Sequence, residues 1–152
     1  MVPPGVRAGD RGVFSSGRYN PGFSDELMAI QGNVFFKYKF LESFLTYEMA
    51  SGRAHAEEDK RDISQIAAEV LVRLGKNENF YLGGRYNTVK ADDVSGQEVT
   101  IDRIQLGGGW FLTDNVLMKL EYVTQNYSDF AAGSMFEDGK FSGVMVEAVV
   151  GF

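Results

Sequence analysis

Few residues of this sequence are equipped for chemistry. His55 is the single histidine and cysteine is absent, which excludes thiol catalysis and thiolate-bound metal. A serine-histidine-aspartate relay would have to be built around His55, and no serine stands in the sharp strand-to-helix turn that exposes a nucleophile, so catalysis is not expected. The acidic runs "AEEDKRD" at 56–62 and Asp92–Asp93 offer oxygen ligands to a divalent cation, but in loops of this composition a solvated surface is the simpler reading. No metal or other cofactor is assigned. The glycines at 107–109 have no helix after them. They therefore do not form a phosphate-binding loop and read as a place where a strand bends or a neighbour closes on the backbone.

More informative are the ionisable residues inside the regular stretches. Lys37, Glu48, Glu69, Arg73, Arg85, Arg103, Lys119, Glu121 and Glu147 fall on the polar side of runs in which apolar residues alternate. Charges collected on one face can tune ion passage through a water-filled lumen. They can equally pair across strands and fill the interior, and hairpin geometry brings Glu69 near Arg85 and Lys119 near Glu147. The mixture of signs argues against strong anion selectivity.

These residues are positioned by strands. Residues 1–25 are rich in Gly, Pro, Ser and Arg and read as an irregular segment, with one short strand near Gly12–Ser16. From Glu26 to the end, 26–152, seven alternating segments follow at about 26–38, 41–53, 62–74, 79–91, 99–112, 115–128 and 139–152. Nothing reads as a helix of ten or more residues. Short connections at 39–40, "GKNE" and "TD" alternate with long polar ones, "AHAEEDKRD", "DDVSGQE" and "SDFAAGSMFEDG". Short turns on one rim and long loops on the other are the layout of an outer-membrane barrel.

At 152 residues with 44% hydrophobic and 24% charged content, the chain is expected to form one domain. A net charge of −6 with signs interleaved gives no basic surface for nucleic acid. No run approaches 18 apolar residues, which excludes a spanning helix but not a barrel. "MVPPGVRAGDRG" does not read as a signal peptide, so export would need a leader, and the chain is expected to be a mature form or the carboxy-terminal part of a longer protein.

Splitting each segment by parity places the apolar set mostly on even numbers: Met28, Ile30, Val34 and Phe36; Ile66, Ala68, Val70 and Val72; Val116, Met118, Leu120 and Tyr122; Val144, Val146, Ala148 and Val150. In a soluble sandwich or barrel that face is the core. Three features favour lipid instead. Charges stay off this face for most of each strand, as an apolar band about 25 Å tall requires. Its large aromatics Tyr38, Phe80, Trp110 and Phe152 gather at the short-turn ends like an interfacial girdle, with Tyr47, Tyr86 and Tyr122 nearer the long loops. The other face mixes ions with Phe35, Phe44, Tyr81 and Phe111, which suits a crowded interior better than a solvated surface.

The terminal "GVMVEAVVGF", ending on Phe152, resembles the closing strand of bacterial outer-membrane β-barrels. "LGGGWFLTDNVLMKLEYVTQNYSDF" with "GKFSGVMVEAVVGF" looks like the end of a Gram-negative porin, closest to porin-like proteins of Bacteroidetes and more loosely to phosphate-selective porins. The resemblance covers about residues 20–152. It implies an all-β, antiparallel, up-and-down transmembrane barrel in the bacterial outer membrane, with lipid and lipopolysaccharide around it and the barrel-assembly machinery reading the terminal strand. Other outer-membrane chains are possible partners, and nucleic acid is not expected. The sequence departs from the pattern in its odd strand number, where single-chain bacterial barrels use even ones. A carboxy-terminal part of a larger barrel is expected, unless residues 10–20 add an eighth strand. The function expected is passive diffusion of small polar solutes. The alternatives are a small closed barrel with a structural or adhesive role, and a soluble ligand-binding barrel.

Overall fold

The computed structural model describes residues 19–134 and 136–151. The strand expected near Gly12–Ser16 and the terminal Phe152 lie outside them. The described residues form seven strands and no helix: β1 (Asp25–Tyr38), β2 (Leu41–Arg53), β3 (Arg61–Leu74), β4 (Phe80–Asp92), β5 (Glu98–Thr113), β6 (Val116–Ser128) and β7 (Lys140–Val150). The alternation of apolar and polar residues predicts these elements to within a residue or two, because a pleated strand sends successive side chains to opposite faces. Prolines, which cannot donate to a ladder, stand only at positions 3, 4 and 21.

The strands make one antiparallel meander in the order β1 to β7. Among the described residues, β1 and β7 each have a partner on one side only, so the sheet is open. The connections at 39–40, 75–79 and 114–115 have two, five and two residues and those at 54–60, 93–97 and 129–139 have seven, five and eleven, so the expected alternation of short and long holds except between 75–79 and 93–97, which are equal. All three short turns share one rim. Residues 19–24 precede β1 without regular structure, so Tyr19 and Asn20 add no eighth strand.

The ladder sets the faces. Val34 faces Leu45, which faces Ala68, and the row continues through Tyr86, Ile104, Thr124 and Ser142. Even-numbered residues share the apolar face in every strand but β2. There the set is odd, with Leu41, Leu45, Tyr47 and Met49 on the apolar side. The apolar set is thus even in six strands and odd in β2, where Tyr47 stands on the apolar face as expected. The two-residue turn at Lys39 and Phe40 pairs Tyr38 with Leu41, opposing an even residue to an odd one, and the loop 54–60 restores parity. Phe44 and Glu48 thus join the polar face as predicted, although their numbers are even.

Burial is the reverse of what a soluble sheet shows. Thr46, Arg61, Ala67, Ala91, Val99, Ile101, Val123 and Gln125 are buried, and all lie on the polar face from mid-height to the long-loop rim. Val34, Leu82, Leu120 and Val146 on the other face are 63%, 59%, 58% and 68% exposed. Open sheets in water bury their apolar face. This one crowds its polar side and leaves the apolar side uncovered.

A polar trough and an apolar outer face

The short-turn half of the polar face is laced by ion pairs. Glu42 accepts from Lys37 Nζ at 2.8 Å and from Arg73 Nε at 2.9 Å, and Arg73 also lies 4.0 Å from Glu78. Lys37 and Glu42 are ladder partners because they flank the two-residue turn symmetrically. Both pairs expected from hairpin geometry form, Glu69 with Arg85 at 3.6 Å and Lys119 with Glu147 at 3.1 Å. Each joins direct partners on adjacent strands, where opposite charges are worth a few tenths of a kcal/mol. Glu48, Glu121 and Arg103 share this face but make no ion pair among the described residues.

Arg103 faces Gln125 across the β5–β6 ladder. Gln125 is 1% exposed and its amide donates to the Tyr127 hydroxyl at 2.8 Å. Its Oε1 and Arg103 Nε are both buried without a hydrogen-bond partner among the described residues. Below them the predicted close approach at the glycines is realised. The Tyr81 ring lies where a side chain on Gly109 would stand, and Glu121 packs over Gly107 in the same way.

Three further polar-face features were not assigned from the sequence. The first is Glu42, legible only once the turn length fixes its pairing with Lys37. The second is Arg61, which pins the segment before β1 across the long-loop end of the trough. Its guanidinium bonds Glu57 at 3.0 Å, the Asp92 carbonyl at 3.2 Å and the Pro21 carbonyl at 2.7 Å, and its charge lies 5.1 Å from the Phe23 ring centroid. Phe23 in turn packs against Gly52, the ladder partner of Arg61. The third is an aromatic cluster beside Gln125, where Tyr127 stacks on Phe136 at 5.2 Å and meets Phe130 edge-on at 5.9 Å. No spacing rule gives the last two, because each joins a loop to a strand through tertiary contact.

The outer face is apolar from the short-turn rim upward. Phe80 and Trp110 are ladder partners with rings stacked at 5.4 Å and 16°. Tyr38 lies on the same face toward the same rim, and all three rings are exposed. Tyr47, Tyr86 and Tyr122 stand higher on that face, also exposed, and the Tyr86 hydroxyl donates to Asp102 at 2.6 Å. In β3 to β7 the charged residues of this face, Asp62, Lys90, Asp92, Glu98, Asp102 and Lys140, all lie toward the long loops.

In the loops, the Ala54 amide and then Arg61 hold the Glu57 carboxyl below its usual range. Asp93 is lowered first by the Ser95 hydroxyl, with the Ser95 and Gln97 amides adding to it. The His55 ring meets Asp25 at 2.9 Å, while the Ser24 hydroxyl accepts from the His55 backbone amide. That serine is not bonded to the ring as an activated nucleophile would be. The acidic runs bring no three potential metal ligands together among the described residues.

No protein-family model matches the sequence, and no curated protein matches it.

Proposed function

We propose that this chain is a wall section of an outer-membrane β-barrel of porin type, whose trough forms part of a polar lumen for passive diffusion of small polar solutes and ions. One observation carries the reading: the exposed face is the apolar one, and the residues that pack against neighbours are on the polar one. In water an uncovered face bearing Val34, Leu82, Leu120 and Val146 would be an aggregation surface. Against hydrocarbon it is the favoured arrangement. Roughly ten residues per strand separate the Phe80–Trp110 level from the first charges, or ~33 Å along a strand. At a tilt of about 40° that gives a band near ~25 Å, the height of an outer-membrane apolar zone.

On this reading the surroundings of the chain are lipid and lipopolysaccharide of a bacterial outer membrane, with the assembly machinery as a transient partner. The test is reconstitution into planar bilayers. Stepwise conductance supports a pore. A protein that folds to a single species in buffer without detergent contradicts any membrane role and leaves a soluble barrel. A second reading, a closed barrel with a filled interior and a structural or adhesive role, is favoured by the Arg61 anchor and by the paired charges that occupy the trough. It predicts insertion without conductance.

A further inference from the structure

The two sheet edges say what kind of partner completes the wall. β1, β3, β5 and β7 all run from the long-loop rim to the short-turn rim, so the two edge strands are co-directed. Direct closure of β7 on β1 would make a parallel pair in an otherwise antiparallel sheet. Repeating the sheet around an axis along the strands sets β7 of one copy against β1 of the next, and that pair is parallel too. A two-fold axis across the strands restores antiparallel pairing, β1 on β1 and β7 on β7. It also turns one copy upside down, placing the 54–60 loop on the rim of its partner's short turns, which a membrane with one machinery for insertion does not allow.

The edges carry little of what finishes a free edge: β1 has one register irregularity, between Asp25 and Met28, and the inward ions Lys37 and Glu147 are each paired with the neighbouring strand. Natural sheets blunt theirs with short strands, prolines, bulges or inward charges. β1 and β7 run 14 and 11 residues without a proline. On the polar face of these two strands Phe35 and Met145 stand 61% and 47% exposed.

We infer that β1 and β7 are joined through an odd number of antiparallel strands supplied by polypeptide outside Asp25–Val150, apolar on the side of Val34 and Val146 and polar on the other. Neither this sheet alone nor copies of it complete the wall. The inference rests on the membrane reading, which removes the inverted dimer.

The test uses the full chain extracted in mild detergent from membranes into which it has been expressed. Because the sequence has no cysteine, disulfides report only engineered pairs. Val34→Cys with Leu45→Cys, ladder partners, is the control for a folded sheet. Val34→Cys is then combined with Val144→Cys, Val146→Cys or Ala148→Cys, and amide exchange is followed in β1 and β7. The expected result is a control disulfide, no disulfide between Val34→Cys and any β7 position, and edge amides protected as well as those of β3 to β5. A β1–β7 disulfide within one copy, or one between copies, overturns the inference. So does a Val34→Cys homodimer, the mark of the inverted dimer, and so do edge amides that exchange as fast as loop amides in a sample whose control disulfide forms. A protein with the same protection in buffer alone fails the membrane reading instead, a separate result.

Discussion

Phe80 and Trp110 stand opposite one another on β4 and β5, their rings stacked at 5.4 Å on the face the sheet leaves open. Trp110 is the only tryptophan, so its fluorescence reports that level of the wall alone. In vesicles its emission is expected to shift to the blue, and lipids brominated near the headgroup should quench it more than lipids brominated near the chain end. Quenching by aqueous iodide as strong as that of free tryptophan would place this face in water.

Val146 and Met145 are neighbours on opposite faces of β7. Val146→Arg is expected to cost about 2–4 kcal/mol at mid-bilayer depth, and Met145→Arg, which points toward the trough, well under half of that. Denaturant unfolding in micelles or vesicles compares them. Equal costs would contradict the face assignment.

Arg61 holds the segment before β1, with its side chain 10% exposed and two backbone carbonyls and Glu57 as partners. Arg61→Met is expected to lower stability, because Glu57 and both carbonyls lose a charged donor. It should also make the chain around Pro21 open to protease at neutral pH. An unchanged cleavage pattern would mean that the anchor holds nothing.

Glu57 and Asp93 are both held below the ordinary carboxylate range, by the Ala54 amide with Arg61 and by the Ser95 hydroxyl with nearby amides. A depressed native pKa contributes stability that is full above the unfolded value, about 4, and is lost as pH falls through the native one. Loops 54–60 and 93–97 are therefore expected to keep their amide protection from pH 7 down to about 4 and to lose it below. Glu57→Gln should flatten that dependence in 54–60 and leave 93–97 unchanged.

Much of the fold is legible in the sequence because lipid and lumen impose alternation on every strand. The seven segments, the rim asymmetry and the two direct pairs, Glu69 with Arg85 and Lys119 with Glu147, follow from period and hairpin geometry. The Glu42 hub is hidden although Phe44 and Glu48 of the same strand are assigned to the polar face, because only the register set by the two-residue turn puts Glu42 opposite Lys37 and within reach of Arg73. Arg61 is harder still. Its partners Pro21 and Asp92 are 40 and 31 residues away, and only tertiary structure brings a loop carbonyl to a strand arginine. The open edges lie beyond any alternation argument, since a strand with one partner and a strand with two carry the same period.

The central claim is that the exposed apolar face meets lipid. It is tested most directly with single nitroxide labels placed one at a time from Leu117 to Val123 on β6, in a chain with no native cysteine, reconstituted in vesicles. The account predicts that accessibility to oxygen alternates with a period of two residues and peaks at Met118, Leu120 and Tyr122, while a water-soluble nickel chelate peaks at none of them. High chelate accessibility at Leu120, or no alternation at all, would contradict it.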